Sequence, residues 1–238
     1  MTHPFRLRAA AVAGLLALLG CAPSRGDAQS TPAPAPAAAP VSEPESGRQH
    51  LLNTTALAGQ PVAVVPVGLV AAGPELAADS VLWRGWADRR TAPRRADSLV
   101  ADVLQERAPE VRWILPPRLR RASRQAPGLV PDPDHMGQAV LRAPRLRQVP
   151  GGLLVQLRNL LAVTDTRIVL VPAAASFGLA DSSAAAAGPV AVTAVLVLAD
   201  VRTGSILWRT EARGRGATPD AALAAAVATV FPPEATTP

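Results

Sequence analysis

Apolar positions fall into two kinds of run: continuous β-branched stretches and stripes at helical spacing. Pro61 to Val70 reads Pro-Val-Ala-Val-Val-Pro-Val-Gly-Leu-Val, apolar on both faces. That suits a strand covered by helices. Ala71 to Asp79 follows as a loop with Gly73-Pro74 as punctuation. Trp83 and Trp86 lie three apart, the spacing of one helical turn packed on the core. Pro93 to Arg107 carries Leu99, Val100, Val103 and Leu104 as a stripe, with Asp97, Asp102 and Glu106 placed elsewhere. Thr91 is positioned to cap this helix, and Pro93 fits its first turn. Val111 to Leu115 reads as a strand closed by Pro116-Pro117, and Arg118 to Arg124 as two helical turns. Pro127 to Pro150 is irregular, with one helix candidate from Asp134 to Arg142.

The second half is more regular. Gly152 to Val163 repeats Leu153, Leu154, Leu157, Leu160 and Leu161 at core-facing spacing. Arg167 to Ala173 and Pro189 to Asp200 read as strands joined by a small-residue loop, Ala174 to Gly188. Ser205 to Arg213 returns as a strand with Ile206, Trp208, Thr210 and Ala212 on one face. Thr218 caps a last helix, Pro219 to Phe231, with proline at its first position, and Pro232-Pro233 ends it. The order β-α-β-α-β-β-β-α predicts an α+β fold, a mixed β-sheet of about five strands covered by about three main helices.

Ahead of this pattern the chain has a different character. Arg6 and Arg8 precede an apolar run, Ala9 to Leu19, that is too short to span a bilayer, which takes about 20 residues. It ends in Leu18-Leu19-Gly20-Cys21, which holds the one cysteine of the chain. This stretch resembles the lipobox of bacterial lipoproteins. The resemblance implies cleavage before Cys21, diacylation of its thiol and acylation of the new amine. Two or more acyl chains hold a membrane firmly, whereas one binds marginally. With Ala22 rather than aspartate as the second mature residue, the family's sorting rule implies the outer membrane facing the periplasm. The predicted organisation is a signal peptide over 1–20 and a Pro/Ala-rich tether over 21–48. A single α+β periplasmic domain over 49–232 and a short tail over 233–238 follow. Some 26 residues of polyproline-like tether reach on the order of 80 Å. Leu51, Leu52 and Leu57 are available to pack on the domain.

Composition then narrows the chemistry. All 24 basic residues are arginine, and there is no lysine or tyrosine. This excludes a P-loop lysine, a Schiff base, a Ser-Lys dyad and a tyrosine acid. With His3 in the leader, His50 and His135 remain, so neither a zinc site nor a disulfide framework is expected. Asp132, Asp134 and His135 lie close in sequence, but Pro-Asp-Pro-Asp is turn and cap chemistry. No catalytic residue, cofactor or metal is therefore assigned.

Loss of Arg6 and Arg8 lowers the formal net charge from +6 to +4. The excess is local: residues 84–147 hold 14 arginines against 7 acids, and the segment after Arg147 balances at 6 against 6. Arg118, Arg121 and Arg124 follow one side of a helix and are the candidate anion-binding residues. The exported compartment and the scarcity of aromatic residues point away from nucleic acid.

The order of elements, with Leu198-Ala-Asp-Val-Arg-Thr-Gly-Ser-Ile-Leu-Trp208 at the hairpin, resembles small periplasmic domains of the curli-secretion lipoprotein family. The N-terminal domain of the Tol-system β-propeller protein and the penicillin-binding-protein activator lipoproteins are similar. The long alternating hairpins of a barrel-forming pore are missing, so the resemblance implies an accessory domain. The expected function is that of a non-enzymatic, membrane-anchored accessory lipoprotein. Cys21 would tie it to the membrane, and its domain would meet an envelope protein partner. The alternatives are a binder of anionic envelope lipid or glycan and, third, a hydrolase built around His135.

Overall fold

The structure is a computed structural model that describes residues 51–181 and 188–231. The leader, Cys21, the tether, most of the loop before Gly188 and the tail from Pro232 lie outside those residues. Six strands form one mixed sheet: β1 (Pro61–Val64), β2 (Val70–Ala72), β3 (Arg112–Ile114), β4 (Ile168–Leu179), β5 (Val190–Asp200) and β6 (Ile206–Gly216). The strand order is β3-β1-β4-β5-β6, with β2 pairing β4 beyond the end of β1. The β3-β1-β4 part is parallel, and β4-β5-β6 is an antiparallel meander. The helices are α1 (Pro74–Ala78), α2 (Ala92–Arg107), α3 (Pro116–Gln125), α4 (Gly151–Ala162) and α5 (Pro219–Ala228). The expected α+β class holds, with β2 and α1 as additions.

Crossovers place helices on both faces, so the sheet buries two cores. One contains Val100 and Leu104 of α2 and Leu223 and Val227 of α5, with Trp83 and Trp86. The other contains Leu153, Leu157, Leu160 and Leu161 of α4 and Leu119 of α3. This is why β1, β4 and β5 read as continuous apolar runs: each face meets a helix layer. Leu52 and Leu57 are buried and the Leu52 N–H donates to the Val230 carbonyl at 2.7 Å, while Leu51 stays exposed.

The long strand expected over Pro61 to Val70 breaks in two. Pro66 removes a donor and the chain turns at Gly68, where a Cβ would lie 2.8 Å from the Ala139 nitrogen. The loop expected over Ala174 to Gly188 instead begins as strand: β4 runs on to Leu179, paired with β2 and β5. Alanine-rich sequence hides the period-2 signal there, and pairing supplies what propensity does not. Pro116-Pro117 start α3 rather than merely closing β3, since proline fits a first helical turn. The candidate helix after Asp134 shrinks to a 3-10 turn, Gln138–Arg142. Thr91 does not cap α2; its hydroxyl binds Asp88 instead.

Ile206 and Trp208 do not share a face. A register shift between Leu198 and Ala199 sends Ile206 to the α4 core, and Trp208 and Ala212 pack on the α5 side. Thr218 does cap α5, accepting from the Ala221 N–H at 3.2 Å. That helix is alanine-rich for a reason: it lies almost on the backbone of β6, where a Cβ on Gly214 would sit 2.3 Å from the Ala222 carbonyl oxygen.

Candidate functional site

The arginine-rich helix α3 is laid on the sheet by Leu119, which is fully buried. That orientation turns Arg118, Arg121 and Arg124 outward, as the spacing predicts. Among the described residues none of the three makes a hydrogen bond or ion pair. Arg120, the next residue after Leu119, turns the other way. It bridges two carboxylates, bonding Asp97 of α2 and, at 2.6 Å, Asp134 of the loop after α3.

Asp97 corrects the helical reading, which set it apart from the apolar stripe. It is 5% exposed, and its second oxygen accepts the Val67 N–H at 2.7 Å. Burial pushes its carboxyl above the ordinary range, against the opposing pull of the Val67 N–H and Arg120. At Arg120 burial also opposes the charge, but hydrogen bonds to Asp134 and Asp97 outweigh it and hold the guanidinium protonated. Nearby, the Gln138 side-chain amide donates to the carbonyls of Pro66 and Pro133 at 3.1 and 3.0 Å. These groups lie beyond the end of β1 and hold the backbone of the turn that leads into β2. The legible signal was Asp97 itself, which precedes Val100 and Leu104 at helical spacing.

A cleft of about 410 Å³ opens beside this network, lined by Arg94, Arg124 and Arg120 together with Asp132 and Asp134. Its charges oppose one another, so it offers no single-sign site. Asp132 closes a turn, accepting the Asp134 N–H at 3.0 Å, and its other oxygen lies 2.8 Å from His135 Nδ1. Burial opposes ionisation of Asp132, but the Asp134 N–H and His135 hold its carboxyl below the usual range. His135 is 81% exposed in its side chain, so the pair stands on the surface as part of a turn. Among the described residues no cluster of three or more His, Cys, Asp or Glu could hold a metal ion. No helix among them is long and apolar enough to cross a membrane.

Four further arginines are committed to the fold. Arg209 donates to the carbonyls of Leu141 and Arg142 at 2.6 and 2.5 Å, pinning the 3-10 turn. Arg158 does the same for Val201 and Arg202, both at 2.7 Å. Arg167 pairs with buried Asp200, and Arg95 with Asp220.

A second feature carries no charge motif; the sequence showed its two tryptophans as a turn packed on the core, which they are, but not the groove beside them. Trp83 and Trp86 stack with centroids 5.9 Å apart and both rest on Phe177 of β4. They wall an open groove of about 730 Å³ that runs beside β2 and ends at the start of α2.

No family model matches the chain, and no curated protein matches it. Similar solved structures include the LpoB C-terminal domain from Salmonella enterica, at 14% identity and a TM-score of 0.38, covering 66% of this chain and 84% of that one. The PelC dodecamer from Paraburkholderia phytofirmans is similar at 14% identity and a TM-score of 0.35, covering 77% and 92%. Lipoprotein GNA1162 from Neisseria meningitidis is similar at 17% identity and a TM-score of 0.31, covering 65% and 79%. At such identities and scores none of them transfers an activity to this chain.

Proposed function

We propose that the chain is a membrane-anchored periplasmic accessory lipoprotein, non-enzymatic, which presents its α+β domain to a protein partner in an envelope assembly or secretion complex. The observation that carries this is Leu18-Leu19-Gly20-Cys21 at the end of an arginine-headed apolar run, followed by a Pro/Ala-rich spacer and one folded unit. Acylation of Cys21 anchors the chain in the outer membrane. The spacer lets the domain search a shell of periplasm, and tethering raises its effective concentration near a partner. The adaptor reading agrees with the resemblance of the sequence to the penicillin-binding-protein activator lipoproteins. Crosslinking in native envelopes followed by mass spectrometry tests the reading: a reproducible protein neighbour is expected, and none across several crosslinker lengths would defeat it.

A second reading rests on Arg118, Arg121 and Arg124, which project along one exposed side of α3. They form a surface suited to anionic lipid headgroups or glycan phosphates. Binding to vesicles containing anionic lipid should then weaken as salt rises, because exposed charges are screened within about 10 Å at 0.1 M salt. Salt-independent binding, or none, removes it.

A further inference from the structure

β2 pairs with β4 along one side, in parallel register from Val70↔Ala175 to Ala72↔Phe177. The Leu69 carbonyl accepts the Ala175 N–H at 2.8 Å, and the Gly73 N–H donates to the Phe177 carbonyl at 2.8 Å. Residues 69, 71 and 73 therefore spend their backbone groups on β4. Strand alternation turns the N–H and C=O groups of Val70 and Ala72 to the opposite side. Among the described residues no strand lies there. β3, the strand beside β1, ends at Ile114, level with Ala63, before β2 begins.

The groove walled by Trp83 and Trp86 runs along this open edge. Apart from Arg89 its lining residues are Gly, Ala, Val, Leu, Pro and Trp, which leave backbone polar groups open to it, and no carboxylate lines it. Outward backbone donors and acceptors at strand spacing match an extended peptide. The tryptophan wall suits small apolar side chains, and Arg89 suits a carboxylate. A second copy of this chain is a poor match, because it would bring two Arg89-lined grooves together.

The geometry points to the β2 edge as a docking site for an extended segment of a protein partner, which adds as a strand and sets an acidic residue against Arg89. This rests on the adaptor reading and names the chemistry its partner would present.

The test is selection of random dodecapeptides against the full chain in detergent, followed by hydrogen exchange on the complex with the best peptide. Enriched peptides should carry Asp or Glu in an otherwise apolar, β-branched run, and binding should slow exchange of the Val70 and Ala72 amides. Ala72→Pro removes an outward donor without touching the bonds to β4. It should leave the circular dichroism and melting temperature unchanged and weaken peptide binding about tenfold or more. Arg89→Glu, which is exposed and free of fold risk, should switch the preference to basic peptides. No enrichment, or binding that leaves the two amides unprotected and ignores both variants, overturns the proposal. Protection in the peptide-free protein also overturns it: the occupant is then a second copy if protection depends on concentration, and the chain itself if it does not. An envelope neighbour whose crosslink is insensitive to both variants overturns this site and leaves the tethered adaptor standing; the lack of any neighbour removes the adaptor as well.

Discussion

Single charges at this protein's interior boundary are decided by their partners. Asp97 is buried and depends on Arg120 and the Val67 N–H for its charge. Arg120→Ala strands that carboxylate, and removal of one member of a buried pair costs about 3–5 kcal/mol. Urea denaturation should show a loss in that range, and a smaller loss for Asp134→Ala, whose carboxylate is partly exposed. Asp200 supplies a pH signature. Hydrogen bonds from Arg167 and the Arg202 N–H overcome burial and hold its carboxyl at about 2, below the ordinary aspartate range. A depressed folded pKa contributes stability that is present above the unfolded pKa and disappears as pH falls through the folded one. Melting temperature should therefore fall between about pH 4 and pH 2, and Asp200→Asn should lower it at neutral pH and flatten that part of the curve. Asp97, raised by burial, acts in the opposite sense. Arg118, Arg121 and Arg124 were legible as an outward row from spacing, but Arg120 was not, because nothing local reveals two carboxylates from other elements.

At the level of elements, the contact between α5 and β6 leaves no space at its glycines. Gly214 and Gly216 meet Ala221, Ala222 and Ala226 with no room for a Cβ. Gly214→Ala must push the helix off the strand, and overpacking of this kind costs about 1–3 kcal/mol. Thermal denaturation should register it, whereas Gly151→Ala, which meets nothing, should be nearly silent. Helices were readable because their stripes are local: α2 and α4 lie within one residue of their predicted bounds. The second half of β4 was not. Its alanines gain strand structure from β2 and β5, which are distant in sequence. The bulge that separates Ile206 from Trp208 has the same origin, since register belongs to a pair of strands.

For the whole molecule the decisive prediction concerns Cys21. In detergent phase separation the native protein should enter the detergent-rich phase, and Cys21→Ala should remain in the aqueous one. A single acyl chain binds a membrane marginally and additional chains hold firmly, so the shift should be nearly complete. A native protein found in water would dismantle the anchored reading while leaving the fold untouched.

The sequence by itself determined the α+β class, the helices α2 and α4, the N-cap of α5 and the outward arginine row, because each depends on neighbours within a few turns of chain. It also held the lipobox resemblance, the absence of lysine and tyrosine, and the balance of charge, which are properties of composition. Tertiary structure decided which arginine is inside, how far β4 extends, where the strands change register and which edge of the sheet stays open. Those are contacts between segments far apart in the chain, and a one-dimensional pattern holds no distance between them.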